Sequence, residues 1–65
     1  MKPRKYEAEM KEDCFLTKGT KGIATEYYFN GEWVYPMFVM NHVIIEEKYL
    51  ELIKEVETPN VAEKN

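Results

Sequence analysis

The chain has 65 residues, a formal net charge of −3, one cysteine and one histidine. A single cysteine excludes an internal disulfide, one cysteine and one histidine are too few for a four-ligand zinc site, and the acidic balance argues against general nucleic-acid binding. A domain of this size buries only about 60% of its unfolded surface. We therefore expect a single globular domain that relies on a very compact core or on a partner chain.

The N-terminal part of the chain is predicted to contain a tail and one strand. Residues 1–5 are polar and are expected to form a flexible tail, and they lack the apolar segment of a secretory signal. Apolar and charged side chains then alternate from Tyr6 to Met10, which is the period of a half-buried strand. Because no apolar run is long enough to cross a bilayer, we expect a cytoplasmic protein without membrane association.

The second predicted feature is a hairpin built around Asn30 and Gly31. It follows a short apolar segment at residues 14–16 and a turn-rich stretch at residues 17–22. Residues 23–29 and 32–40 are rich in aromatic and β-branched side chains, and Asn-Gly between two such runs is typical of a type I′ turn. A two-residue loop pairs Phe29 with Glu32, Tyr28 with Trp33, Thr25 with Pro36 and Ile23 with Phe38.

This register assigns the hairpin side chains to two faces. The face expected to line the core holds Ile23, Thr25, Tyr27, Val34, Pro36 and Phe38. The opposite face holds Ala24, Glu26, Tyr28, Trp33, Tyr35 and Met37. Pro36 cannot donate a hydrogen bond to a neighbouring strand, so it marks an edge position or a bulge, and a slip of one residue there would exchange the two faces.

The C-terminal segment fits two patterns. In the first, residues 43–45 form a strand, residues 46–49 form a short 3₁₀ or α-helical turn, and residues 50–53 form a closing strand. In the second, apolar residues at helical spacing form one amphipathic helix from about Ile44 to Glu57. Thr58-Pro59 ends either element, and residues 55–65 are expected to form a polar C-terminal tail.

Three segments resemble the Src-homology-3-like (SH3-like) small β-barrel family. Residues 16–24, with the pattern polar-Gly-x-x-Gly-apolar, are similar to the entry into the central hairpin of such barrels. Gly31-Glu32-Trp33 resembles the family's approach to its aromatic strand, and residues 46–53 are similar to its closing turn and strand. The resemblance implies a mainly β fold, a small SH3-like barrel of about five strands over residues 6–54. The helical pattern implies instead an α+β fold of hairpin plus helix.

The sequence offers little for catalysis. Cys14 and His42 are the two candidate nucleophilic or basic groups, and nothing in the sequence brings them together. Cys14 is interpreted as a small buried residue and His42 as a turn residue, while the acidic pairs at 12–13 and 46–47 are interpreted as solvated. Lys18-Gly19-Thr20 lacks the glycine spacing of a phosphate loop. We therefore expect a non-enzymatic protein without a metal or other cofactor.

The leading functional hypothesis concerns an aromatic surface, which we define as Tyr28, Trp33, Tyr35 and Met37. If these side chains face solvent, they form a patch of the residue types that dominate protein interfaces. Alternatively, barrel closure or the terminal segment (Ile45, Tyr49, Leu52, Ile53) covers them. The hypothesis is an accessory or inhibitory protein-binding module. The alternatives are a nucleic-acid-associated barrel that uses Lys2, Arg4, Lys5, Lys18 and Lys21, and a homo-oligomer that binds through the same surface.

Overall fold

A computed structural model describes residues 2–56 of the chain. Its elements, in chain order, are β1 (Lys5–Met10), β2 (Lys21–Phe29), β3 (Glu32–Met40), β4 (Val43–Glu46), a 3₁₀ turn (Glu47–Tyr49) and β5 (Leu50–Val56). The strands form one antiparallel sheet in the order β4-β3-β2-β1-β5. The prediction of a mainly β fold with a short 3₁₀ turn near the C-terminus is confirmed, and the order of elements agrees with the SH3-like fold.

The closing segment is a turn followed by a strand, so the alternative of one helix from Ile44 to Glu57 is wrong. Glu46 and Leu50, on either side of the 3₁₀ turn, both have extended backbone. Burial then alternates at the start of β5, with Leu50 buried, Glu51 exposed and Leu52 half-buried. β1 pairs with this segment from Leu50 to Val56, except at Ile53, and tertiary pairing of this kind overrides the helix propensity of Glu, Lys and Leu.

The strands reach slightly beyond the predicted domain limits of residues 6 and 54. β1 begins at Lys5, and β5 continues to Val56. Residue 1 and residues 57–65, which include most of the predicted C-terminal tail, lie outside the described residues.

The Asn30-Gly31 turn is formed as predicted. Both residues have positive φ, 54° at Asn30 and 81° at Gly31, as a type I′ turn requires. The adjacent pairs Phe29–Glu32 and Tyr28–Trp33 are also confirmed. The turn therefore sets the register at this end of the hairpin.

The register changes further along the hairpin, and the predicted pairing there is wrong. Glu26 pairs with Phe38 and Thr25 with Val39, so two steps along β2 correspond to five along β3. The extra residues of β3 include Pro36, which has no N–H to donate to the ladder. This bulge places Trp33 and Phe38 on the same side of the sheet.

The bulge also reverses the predicted faces of β2. Ala24 and Glu26, expected on the outer face, are buried, whereas Ile23, expected in the core, is exposed. On β3, Val34 was also expected in the core and is exposed. Of the six residues assigned to the core face, only Phe38 is fully buried. All five strands contribute to the core, which consists of Ala8, Met10, Ala24, Phe38, Met40, Ile45 and Leu50.

Candidate binding surface

The structure places Trp33 at the margin of the core, next to the fully buried residues and not among them. Its side chain is half-buried and packs against the core cluster. The indole ring meets Phe38 edge-on, with 6.0 Å between ring centroids, and Nε1 donates a hydrogen bond of 3.2 Å to the carbonyl oxygen of Met37. Because both its ring and its N–H are engaged, Trp33 is held in one position.

Tyr35 is the exposed member of the aromatic surface. Its side chain is 68% exposed, and its ring stands edge-on to Trp33 at a centroid distance of 4.9 Å and an interplanar angle of 83°. This geometry is favourable for an aromatic pair. The fixed Trp33 ring therefore supports Tyr35 from the side that faces the core.

Tyr28 and Met37 are both half-buried, so the aromatic surface is a mixture of exposed and partly covered groups. Tyr28 lies opposite Trp33 across the hairpin, and its hydroxyl is 3.5 Å from Oε1 of Glu26. The terminal segment that was expected to cover this surface is itself only partly buried. Ile45 belongs to the core, Tyr49 and Leu52 pack against the core, and Ile53 is exposed. Closure of the fold thus covers the inner side of this surface and leaves Tyr35 in solvent.

A groove of about 330 Å³ opens beside Tyr35. We call it the Tyr35 groove, and its lining residues are Lys11, Tyr35, Pro36, Glu46, Glu47, Lys48 and Leu50. Two contacts fix its far wall. The N–H of Lys11 donates to the carbonyl oxygen of Tyr49 at 2.8 Å, and Nζ of Lys48 lies 5.2 Å from the centre of the Tyr49 ring. The groove therefore has an aromatic wall and a charged wall that carries both signs.

A buried carboxylate lies behind this surface, and the sequence analysis did not identify it. Glu26 is only 6% exposed. Its Oε1 accepts a hydrogen bond of 3.0 Å from the backbone N–H of Arg4, and its own N–H donates to the carbonyl oxygen of Arg4 at 2.9 Å. These two bonds attach the chain before β1 to the edge of β2. The correct register would have revealed Glu26, because its alternation with Ala24 places both on the inner face.

The Arg4 guanidinium is surrounded by compensating groups. The Tyr6 hydroxyl, through a side-chain hydrogen bond and its charge, followed by the carboxylates of Glu26 and Glu55, raises the pKa of Arg4 above its ordinary value. Each of these groups favours the charged form of the guanidinium. Arg4 therefore keeps its positive charge across the physiological pH range.

The two candidate catalytic residues occupy different parts of the fold. Cys14 is half-buried and packs against the core from the loop between β1 and β2, whereas His42 is exposed in the turn between β3 and β4. Among the hydrogen bonds of residues 2–56, none joins these two side chains.

The same part of the chain contains no group of three or more His, Cys, Asp or Glu side chains arranged to hold a metal ion, and no helix there is long and apolar enough to span a membrane.

Comparison with known proteins gives no relative: no protein-family model, no curated protein and no solved structure matches the chain.

Proposed function

We propose that this chain is a non-enzymatic protein-binding module, an accessory or inhibitory subunit that docks on a larger protein through the aromatic surface. The observation that carries the proposal is the exposed Tyr35 ring supported by the half-buried Trp33. Tyr and Trp dominate the energetics of protein interfaces because each covers a large area. Membership of the SH3-like family belongs to the same proposal and is supported by the order of elements.

Preorganisation of the Tyr35 ring strengthens this proposal. The bond from Trp33 Nε1 to Met37 and the contact of Trp33 with Phe38 hold the indole ring in place. Tyr35 packs on that ring, so a partner would immobilise little that is mobile in the free chain. Less conformational entropy is then lost on binding, which favours affinity.

The charges of the Tyr35 groove favour a polypeptide as the ligand. Lys11 and Lys48 supply two cations, while Glu46 and Glu47 supply two anions. A protein segment that carries both signs can pair with such a wall, whereas a uniformly anionic polymer meets repulsion from the two carboxylates. The aromatic and proline side of the groove provides apolar contact area.

The nucleic-acid alternative is less well supported. Of the five basic residues it requires, Arg4 lies near the carboxylates of Glu26 and Glu55, which raise its pKa and would repel a phosphate at that place. No lysine or arginine occurs between Lys21 and Lys48, the stretch that contains the whole aromatic surface. Lys11 and Lys48 are the cations beside Tyr35, and the carboxylates of Glu46 and Glu47 next to them offset the positive charge that dominates nucleic-acid affinity.

The test is affinity capture from host lysate with wild type, Tyr35→Ala and Phe29→Ala, followed by identification of the retained proteins. Tyr35→Ala removes an exposed ring beside the groove and should abolish retention of the partner without lowering the melting temperature. Phe29 is also exposed but lies at the hairpin turn outside the groove, so Phe29→Ala is the matched control and should retain the partner.

Salt distinguishes the two classes of ligand. Retention of a protein partner should persist as ionic strength rises, whereas retention through phosphate contacts should fall steeply. Identical retained proteins for wild type and Tyr35→Ala would contradict the proposal. So would retention of nucleic acid alone.

A further inference from the structure

A second surface, separate from the aromatic surface, centres on Phe15 in the loop between β1 and β2. Phe15 is 81% exposed, and its φ of 65° lies in the left-handed region that bulky residues seldom adopt. The N–H of Cys14 donates to the carbonyl oxygen of Leu16 at 2.9 Å, which closes the backbone around Phe15. Both Cys14 and Leu16 pack against the core, so the loop turns them inward and Phe15 outward.

The fold requires only a positive φ at position 15. Glycine provides that conformation without the steric cost of a side chain, and the Phe15 ring adds no contact to the core. An aromatic residue here is therefore unfavourable both for the backbone and for solvation. Positions that break local rules without a structural benefit are commonly functional.

The loop holds this ring on a constrained base. The N–H of Lys18 donates to Oδ1 of Asp13 at 2.6 Å, and the hydroxyls of Thr17 and Thr20 are 3.0 Å apart. The N–H of Gly19 donates to the carbonyl oxygen of Met10 at 3.0 Å. Phe15 is thus presented as a preorganised projection.

The chain also carries a groove that suits such a projection. This Ile53 groove has a volume of about 300 Å³ and is lined by Glu7, Ala8, Lys21, Gly22, Ile23 and Ile53. It exists because the pairing of β1 with β5 shifts between Glu7 and Ala8, which leaves Ile53 without a partner on β1. Ile23 and Ile53 are 44% and 52% exposed. The volume is at the lower end for ligand clefts and suits a single large side chain.

We propose that two copies of this chain form a reciprocal dimer in which Phe15 of each copy enters the Ile53 groove of the other. The loop returns to the sheet at Lys21, which is also a wall of the groove, so the projection and the groove lie at the same end of the molecule. A twofold axis then lets each copy contribute and receive one ring, and the assembly closes at two.

Charge favours one orientation of this contact. Among the residues that line the surface around Phe15, from Asp13 to Thr17, Asp13 carries the charge, and Lys21 is the cation of the Ile53 groove. The orientation that brings Asp13 to the Lys21 side pairs opposite charges, whereas the reverse brings it to Glu7.

The expected dimer is weak. A buried phenyl ring accounts for about 150–250 Å², so two rings and the flanking isoleucines fall short of the ~1,200 Å² of a stable interface. The dimer should therefore depend on protein concentration. It uses neither Trp33 nor Tyr35, so it stands independently of the proposed function.

The experiment is analytical ultracentrifugation of the full chain from about 10 µM to about 1 mM, a range in which weak association is measurable. Phe15→Gly should raise the dimer Kd about a hundredfold, because two ring contacts are lost. The same variant should leave the melting temperature of the monomer unchanged or raise it, because glycine relieves the backbone strain. A merely structural role for Phe15 predicts a lower melting temperature.

A mixing experiment tests reciprocity. Ile53→Lys, or Ile23→Lys if circular dichroism shows the first variant unfolded, should abolish self-association by placing a charge in the groove. Mixed with Phe15→Gly, it should form a heterodimer through one intact contact, about tenfold weaker than wild type. Phe29→Ser, which removes another exposed ring, should dimerise like wild type. A monomeric wild type at all concentrations, unchanged association of Phe15→Gly, loss of association in Phe29→Ser, or no association in the mixture would each overturn the proposal.

Discussion

Glu26 illustrates how a single residue joins two parts of this fold. Its carboxylate is removed from water yet accepts the Arg4 N–H, and the backbone groups of the same two residues also bond to each other. A buried charged group is costly unless hydrogen-bonded. Among the residues of the described segment, no buried side-chain nitrogen or oxygen lacks a hydrogen-bond partner. The carboxylate therefore stabilises the N-terminal approach to β1 while it meets its own requirement for donors.

This arrangement predicts different effects for two substitutions of Glu26. Glu26→Gln keeps an oxygen that can accept the Arg4 N–H, and we expect a small change in the free energy of unfolding. Glu26→Ala removes the acceptor and should cost about 1–3 kcal/mol, the range for hydrogen bonds to charged groups and unsatisfied buried partners. Urea denaturation monitored by Trp33 fluorescence measures both values. Equal losses for the two variants would show that the hydrogen bond is not what stabilises this junction.

At the scale of elements, the hairpin of β2 and β3 shows what local sequence can specify. The turn and the two pairs beside it depend on Asn30 and Gly31, whose conformational preferences are local. The register beyond Glu26 is shared with β1 and β4, which pair with the same two strands there, and the extra residues near Pro36 lie just outside that part of the sheet. A period-2 pattern cannot reveal such a bulge, because one insertion exchanges the faces while the pattern on each side stays regular.

The candidate site was also predictable only near the turn, and not where it depends on the bulge. The prediction that Tyr35 faces solvent agrees with its exposed side chain. Tyr35 lies two residues after Trp33 and before Pro36, in the part of β3 that is close to the turn. The burial of Trp33 was not predictable from the hairpin alone, since it depends on Phe38 reaching the same face across the bulge. Phe15 was missed because its exposure follows from a single positive φ that no periodic pattern encodes. The mainly β fold followed from residue types and turn signals, which are distributed over the chain.

The turn itself gives a prediction at the scale of elements. Gly31 has a φ of 81°, and a Cβ added there would meet no atom within 4 Å. The cost of a substitution therefore comes from the backbone alone. Gly31→Val should lower the free energy of unfolding by more than about 1–2 kcal/mol, the cost of left-handed backbone for an ordinary residue, because a β-branched side chain resists positive φ further.

Gly31→Asn is the matched control, since asparagine tolerates the left-handed region and should cost much less. Thermal melts followed by circular dichroism compare the two variants under one set of conditions. If valine and asparagine prove equally tolerated, the type I′ assignment is incorrect.

At the scale of the whole molecule, the strands overlap unevenly. β1 pairs with β2 no further than Thr25, and β4 pairs with β3 only from Met37 onward. The hairpin between these points is a two-stranded extension that carries the aromatic surface and the turn. The fully buried residues all lie in the part where the sheet has more strands. A two-stranded ribbon is marginal by itself in water, so the contact of Trp33 with Phe38 helps to anchor the extension on the core.

This division predicts two levels of protection from hydrogen exchange. The amides of Ala24 and Met40, which lie among fully buried side chains, should exchange only through global unfolding. The amides of Tyr28 and Trp33 pair within the extension and should exchange through a local opening of lower free energy, because few buried contacts oppose it. Native-state exchange measured by NMR at increasing urea separates the two: amides that open globally show a strong urea dependence, and amides that open locally show almost none.

Trp33→Ala should increase exchange at Tyr28 more than at Met40, since it removes the contact that anchors the extension. If Tyr28 and Met40 instead exchange at the free energy of global unfolding in the wild type, the extension and the core form one cooperative unit, and the aromatic surface is as rigid as the sheet that supports it.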